Sequence, residues 1–102
     1  VRSGRSIQPL AVADVQRFEA VGDYVTAHTA GGEHLLHLAL SRLEARLDPQ
    51  QFARIHRAHI VNLDHVARFR RELDGRLTAV LRSGVELPVS KSRAQVLREL
   101  AK

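Results

Sequence analysis

The order of apolar and polar positions divides the chain into short segments. Residues 14–21 alternate loosely, with Phe18 and Ala20 on one side and Arg17 and Glu19 on the other, and Gly22-Asp23 breaks the run. Residues 24–29, YVTAHT, carry the β-branched and aromatic side chains that favour strands. Ala30-Gly31-Gly32 is a hairpin-turn signal, because glycine reaches positive φ at little cost, and residues 33–38 read as the return strand. The period then lengthens. Leu40, Leu43 and Leu47 recur at helical spacing, and Leu36 could extend that stripe backwards. Asp48-Pro49 ends the helix, since the residue before proline avoids α geometry.

The second half returns to strand patterns. Residues 65–72 are read as one strand, with Ala67 and Phe69 inward and Arg68 and Arg70 outward. Asp74-Gly75 and Ser83-Gly84 are turns around residues 76–82, which alternate cleanly through Leu77, Ala79 and Leu81. Val85, Leu87 and Val89 share a face, and Pro88, lacking an N–H, marks an edge strand or a strand's end. Ser90 is a good N-cap for a last amphipathic helix over 91–101. One stretch fits neither period. In FARIHRAHIVNL, residues 52–63, no phase keeps the apolar residues on one strand face, and helical spacing joins Phe52 to Ile55 but then meets His59. That predicts a short strand, a tight turn or single helical turn, and a new element, with Arg54, His56, Arg57 and His59 clustered near the bend. The fold class expected is mainly β, with one central packing helix and a short C-terminal helix.

The length of 102 residues fits one domain, and 44% hydrophobic residues suffice for a small core. Residues 1–9, polar with Gly and Pro, read as a linker or N-terminal tail, leaving 10–102 as the domain. With Val first and no Met, the chain reads as a piece of a longer one. No apolar run approaches the roughly 18 residues of a membrane helix. Cysteine is absent, which removes disulfides, thiolate nucleophiles and Cys-ligated zinc and is compatible with a reducing cytoplasm.

Charge changes the picture more. The net charge is +5, but residues 1–53 carry five arginines against six carboxylates, whereas residues 54–102 carry eleven Arg or Lys against five carboxylates. A lopsided basic half points to a polyanion, nucleic acid first and an anionic surface second.

The alternatives are chemically thin. His56 and His59, and His34 and His37, are paired three apart, but a zinc site needs further ligands with supporting partners and no HExxH is present. There is no GxSxG elbow, no supported carboxylate pair and no phosphate-cradling glycine loop before a Lys-Ser. No metal, cofactor or catalytic residue is therefore expected. One tyrosine and three phenylalanines are too few to stack single-stranded bases. Duplex DNA asks instead for cations on phosphates and a few polar side chains at base edges. Arg54/His56/Arg57/His59 and Lys91/Ser92/Arg93 are dense groups of that kind, the second at a helix N-terminus.

With those groups in place, the sequence resembles the LytTR domain, the DNA-binding output domain of many bacterial two-component response regulators. The resemblance rests on DVQRFEAVGDYVTAHT (14–29), LSRLEARLDPQQFARIHRAHIVNL (40–63) and LPVSKSRAQVL (87–97), and it covers about residues 10–101. Two departures are Ala58, where the family often has Ser, and Lys91, where Arg is frequent.

The resemblance implies small stacked antiparallel sheets, and loops rather than a recognition helix entering successive major grooves. It places base contacts at Gly22-Asp23-Tyr24, at His56-Arg57 and at Lys91-Ser92-Arg93. It also implies paired repeat sites, two copies per operator, and an upstream receiver or other sensor domain in a cytoplasmic regulator. Asn62 is read as a polar brace at a turn. The competing function is a non-catalytic module that binds a protein or an anionic surface through the same basic face.

Overall fold

The computed structural model describes the backbone of residues 2–3, 6–7 and 11–100, and the side-chain surroundings of 11–95 and 97. Strands β1 (Arg2–Ser3) and β2 (Ser6–Ile7) pair antiparallel. The rest of the stretch expected to be a linker, residues 1, 4–5 and 8–9, lies outside the described residues, as do residues 101–102.

A five-stranded antiparallel sheet runs β5-β4-β3-β7-β6, formed by β3 (Val15–Val21), β4 (Tyr24–Thr29), β5 (Gly32–Leu36), β6 (Phe52–His56) and β7 (His59–Asn62). A three-stranded sheet runs β10-β9-β8, from β8 (Val66–Arg71), β9 (Leu77–Leu81) and β10 (Glu86–Val89). Helix α1 (Leu40–Arg46) connects β5 to β6, and α2 (Lys91–Leu100) follows β10.

The turn glycines act as expected at two places that matter. Gly22 takes φ of 58° at the first central position of the β3–β4 turn, closed by the pair Val21 and Tyr24, the arrangement of a II′ hairpin. Gly32 takes φ of 134°, and Thr29 Oγ1 ties that turn by accepting from the Gly31 N–H and donating to the Gly32 carbonyl.

Two cores flank the β6–β7 hairpin. On one side α1 lays Leu40, with Leu43 and Leu47, over Val15, Phe18, Val25, Ala27, Phe52 and Ile60. On the other, Ala53, Ile55 and Val61 meet Val66, Ala79, Leu81, Leu87, Val89 and Ala94 of the small sheet and α2. Adjacent residues of one strand thus point into different cores: Ile60 into the first, Val61 into the second. Each such fully buried aliphatic side chain contributes on the order of 2 kcal/mol, so the hairpin is the most anchored part of the chain.

Two expectations need correction. Ala67 is exposed, not inward. A register shift between Val66 and Arg68 opposite β9 takes up the extra residue and breaks the alternation there. The return strand is shorter than expected, ending at Leu36 rather than at residue 38, because the chain must lift off the sheet to start α1. Pro88 does lie on an edge strand, β10, where its missing N–H leaves no ladder bond unmade.

Candidate nucleic-acid interface

The bend between β6 and β7 is a two-residue turn, Arg57-Ala58, closed by the cross-strand pair His56 and His59. A I′ turn would need positive φ at both central residues, and no described non-glycine residue has it. A register shift between Arg54 and His56 takes up the mismatch.

The turn is then locked from three sides. Arg54 Nε donates to the His56 carbonyl at 3.0 Å and Nη2 to the Arg57 carbonyl at 2.7 Å. His56 Nδ1 accepts from the Ala58 N–H at 3.1 Å, which puts the proton of the neutral ring on Nε2. The Ala58 carbonyl accepts from Ala20 N of β3 at 2.9 Å.

Arg54, one of the expected contact residues, is bound within the protein. Its side chain is only 14% exposed and turned inward, with Nη1 on Glu44 of α1 at 3.0 Å. Arg57 projects outward, exposed and without an ion pair among the described residues.

Asp23, Tyr24 and Lys91 of the other two expected segments lie around this turn. Asp23 and Tyr24 line one concavity of 580 Å³ with Arg57 and Ser41, and the Tyr24 ring meets His37 edge-on at 4.7 Å. His56 lines a second concavity, of 660 Å³, with Ser90, Lys91, Asp74 and Arg76. Ser90 N donates to the Ile55 carbonyl at 2.8 Å, which pins the start of α2 to β6. The Ser90 hydroxyl caps the Arg93 N–H at 3.4 Å. Lys91 and Ser92 are exposed on that first turn, and Arg93 reaches Glu44 Oε2 at 3.4 Å.

His59 is half-buried. Its Nδ1 is buried with no hydrogen-bond partner, and its ring lies 5.4 Å from that of His56. Burial lowers its pKa below the usual 6.5, Glu19 opposes that, and His56, Arg17 and His28 add to the lowering.

Pairing sorts the cations of the basic half. Arg70 forks between Glu72 at 2.8 Å and Glu86 at 2.7 Å, and Arg76 pairs with Asp74. Arg54 and Arg93 share Glu44. Arg57, Arg68, Arg71, Arg82 and Lys91 have no ion pair among the described residues. Among them Arg57 and Lys91 belong to the expected segments. Sequence reasoning missed Glu44, whose partners lie ten and forty-nine residues away. No local spacing signals such a contact. It also missed Ser41 and His37, which only the path of the chain into α1 brings beside Arg57.

Fold and site together define a class: a small β domain that offers unpaired cations and polar side chains from turns and a helix start rather than from a helix face. Comparison with known proteins agrees. The LytTr DNA-binding domain family matches residues 5–102, and the chain belongs to that family. It is 42% identical over 98 residues to the CO-responsive transcriptional regulator RcoM of Rhodospirillum rubrum, covering 95% of this chain and 42% of that protein. It is 38% identical over 78 residues to the transcriptional regulatory protein BtsR of Escherichia coli K12, covering 76% of this chain and 31% of BtsR. The chain thus spans less than half the length of these curated relatives. A solved LytTr DNA-binding domain from Bacillus cereus shares the fold, with a TM-score of 0.89 at 23% identity over 98% of this chain and 92% of that one.

Proposed function

We propose that this domain binds duplex DNA sequence-specifically, reading successive major grooves with three turn segments. The observation that carries the reading is that Asp23 and Tyr24 share one concavity with Arg57, Lys91 shares another with His56, and Arg93 is tied through Glu44 to Arg54, which braces the same turn. In this reading Arg57 makes two parallel hydrogen bonds to a guanine edge, His56 offers Nε2–H to a base or phosphate, and Asp23 accepts from a cytosine amino group. Lys91, Ser92 and Arg93 hold phosphate, helped by the free N–H groups of the first turn of α2. Tyr24 walls the first concavity. His59 supports His56 from beneath and has only Nε2 to offer a ligand. Arg54 positions the turn.

The domain serves as the output part of a bacterial two-component transcriptional regulator acting in the cytoplasm. Two copies occupy paired repeats, and a receiver or other sensor domain precedes this chain in the full protein. It performs no catalysis and needs no metal or cofactor of its own. The 42% identity to a CO-responsive regulator favours, as the second reading, a gas-sensing input in place of a receiver.

The test is selection of duplexes from a randomised library, followed by titration of selected and scrambled duplexes at several salt concentrations. Enrichment of a repeated motif, with affinity for it well above that for the scrambled duplex, is the expected result. Equal affinity for both, or preference for anionic vesicles over any duplex, refutes the reading in favour of a basic interaction module.

A further inference from the structure

Glu44 is half-exposed on α1, one turn after the buried Leu40, and it links Arg54, which braces the β6–β7 turn, to Arg93 at the start of α2. Oε1 takes Arg54 Nη1 at 3.0 Å and Oε2 takes Arg93 Nη1 at 3.4 Å. The two bonds differ in kind. Arg54 is mostly buried, and its other donors hold the carbonyls of His56 and Arg57. A guanidinium removed from water to that degree needs a counter-charge to stay there, and Glu44 is its carboxylate partner among the described residues. Arg93 is 39% exposed and its bond to Glu44 is long, so it can exchange that carboxylate for a phosphate oxygen at little loss.

We propose that Glu44 is a positioning residue for DNA discrimination: its carboxylate fixes Arg54, and so the turn that presents Arg57, while holding Arg93 back from indiscriminate phosphate binding. This rests on the DNA-binding reading above. The anionic partner that displaces Glu44 is a backbone phosphate delivered in register by a duplex whose bases already satisfy Arg57. On an arbitrary duplex that register is missing, and Arg93 gains little by leaving Glu44. The single carboxylate thus suppresses weak binding and sharpens specific binding.

Removal of the charge should therefore move two affinities in opposite directions, which a loss of folding cannot do. Glu44→Gln keeps the shape and removes the charge. With the selected duplex, its affinity should fall about tenfold, as expected when one base-reading group loses its fixed geometry. With the scrambled duplex, its affinity at low salt should rise by roughly threefold, and the log–log salt slope should steepen by about 0.9, one further phosphate contact. Glu44→Asp retains the charge on a shorter arm and should keep the wild-type salt slope while losing part of the discrimination. It carries the test should Glu44→Gln fail to give a cooperative melt.

Parallel weakening on both duplexes with an unchanged slope overturns the proposal, as does wild-type behaviour of Glu44→Gln on both. Arg57→Ala, run alongside, separates the two levels. If it loses the selected duplex while Glu44→Gln does not, the DNA reading stands and the role of Glu44 falls. If wild type distinguishes no duplex, both fall together.

Discussion

Asn62 Nδ2 donates to the carbonyl of Val15 at 2.9 Å, joining two residues forty-seven apart in the sequence at a point with no solvent exposure of Asn62. The same amide also donates to the Ala13 carbonyl at 3.4 Å. Its oxygen accepts from Gln51 Nε2 at 2.6 Å and from the Asp64 N–H at 3.0 Å. All of its hydrogen-bonding capacity is thus spent on stitching the entry of β3 to the exit of β7. Asn62→Ala strands a buried carbonyl and opens a small hole, and should destabilise the fold by about 3 kcal/mol. Urea unfolding is the measurement, with the midpoint lowered and the slope unchanged. Asn62→Asp should be at least as damaging at neutral pH, because it aims a carboxylate at two carbonyl oxygens.

Arg54 and Arg57 are three residues apart and should differ in what they do to stability. Arg57→Ala removes an exposed side chain without an ion pair among the described residues, so stability should stay within about 0.5 kcal/mol. Its affinity for a selected duplex should fall by about 1–3 kcal/mol, with much less change on a scrambled one. Arg54→Ala removes three hydrogen bonds and leaves Glu44 without its nearer partner. It should lower stability by roughly 1–3 kcal/mol, and it should also weaken the selected duplex by about tenfold, because the turn that presents Arg57 is no longer fixed. Thermal melts and duplex titrations on the same preparations test the pair. Equal stability of the two variants would show that the division between brace and contact is misplaced.

The contrast shows what the sequence could and could not reveal. Broken periodicity located the bend at residues 56–59 because a strand buried on both faces has no polar alternation. Phe52 and Ile60 face α1 whereas Ala53, Ile55 and Val61 face the small sheet. The turn glycines, the proline on an edge strand and the Ser90 cap were legible for the same reason: each is a local rule. Composition alone could not tell Arg54 from Arg57, since they differ by which carbonyls and carboxylates folding brings within reach. Glu44 was invisible for that reason too, and Ala67 was misplaced because a bulge leaves no mark in the hydrophobic pattern.

Gly22 offers a test of how tightly the first segment must be held. Its φ of 58° lies in the left-handed region, and a Cβ there would meet no atom within 4 Å. Backbone strain is then the whole penalty, and Gly22→Ala should cost about 1 kcal/mol. Gly22→Asn should cost less, because asparagine is better accepted than alanine at the positive-φ positions of primed turns. If Asp23 and Tyr24 read bases, both variants should weaken the selected duplex more than the scrambled one, in the order Ala then Asn. Full retention of affinity in a destabilised Gly22→Ala would remove this turn from the interface.

His59 should make stability depend on pH in a predictable direction. Burial is the main reason that its pKa in the folded chain lies below the ordinary 6.5. The unfolded chain therefore takes up the proton first as the solution is acidified. Stability on account of His59 is fully present above pH 6.5, is lost as pH falls through that value, and levels off once the pH has passed the lowered folded value. Structurally, the added proton would place a charge in a ring whose Nδ1 has no acceptor and whose neighbours include Arg17, His28 and His56, with Glu19 the opposing carboxylate. His59→Gln removes the titration. Urea midpoints of wild type and variant, compared between about pH 5 and 8 where histidines change charge, should diverge on acidification, with wild type falling more steeply. The imidazole resonance of His59, followed by NMR, should titrate with a midpoint below 6.5. Parallel midpoint curves together with a titration at or above that value would show that the ring finds a partner for its proton within the fold.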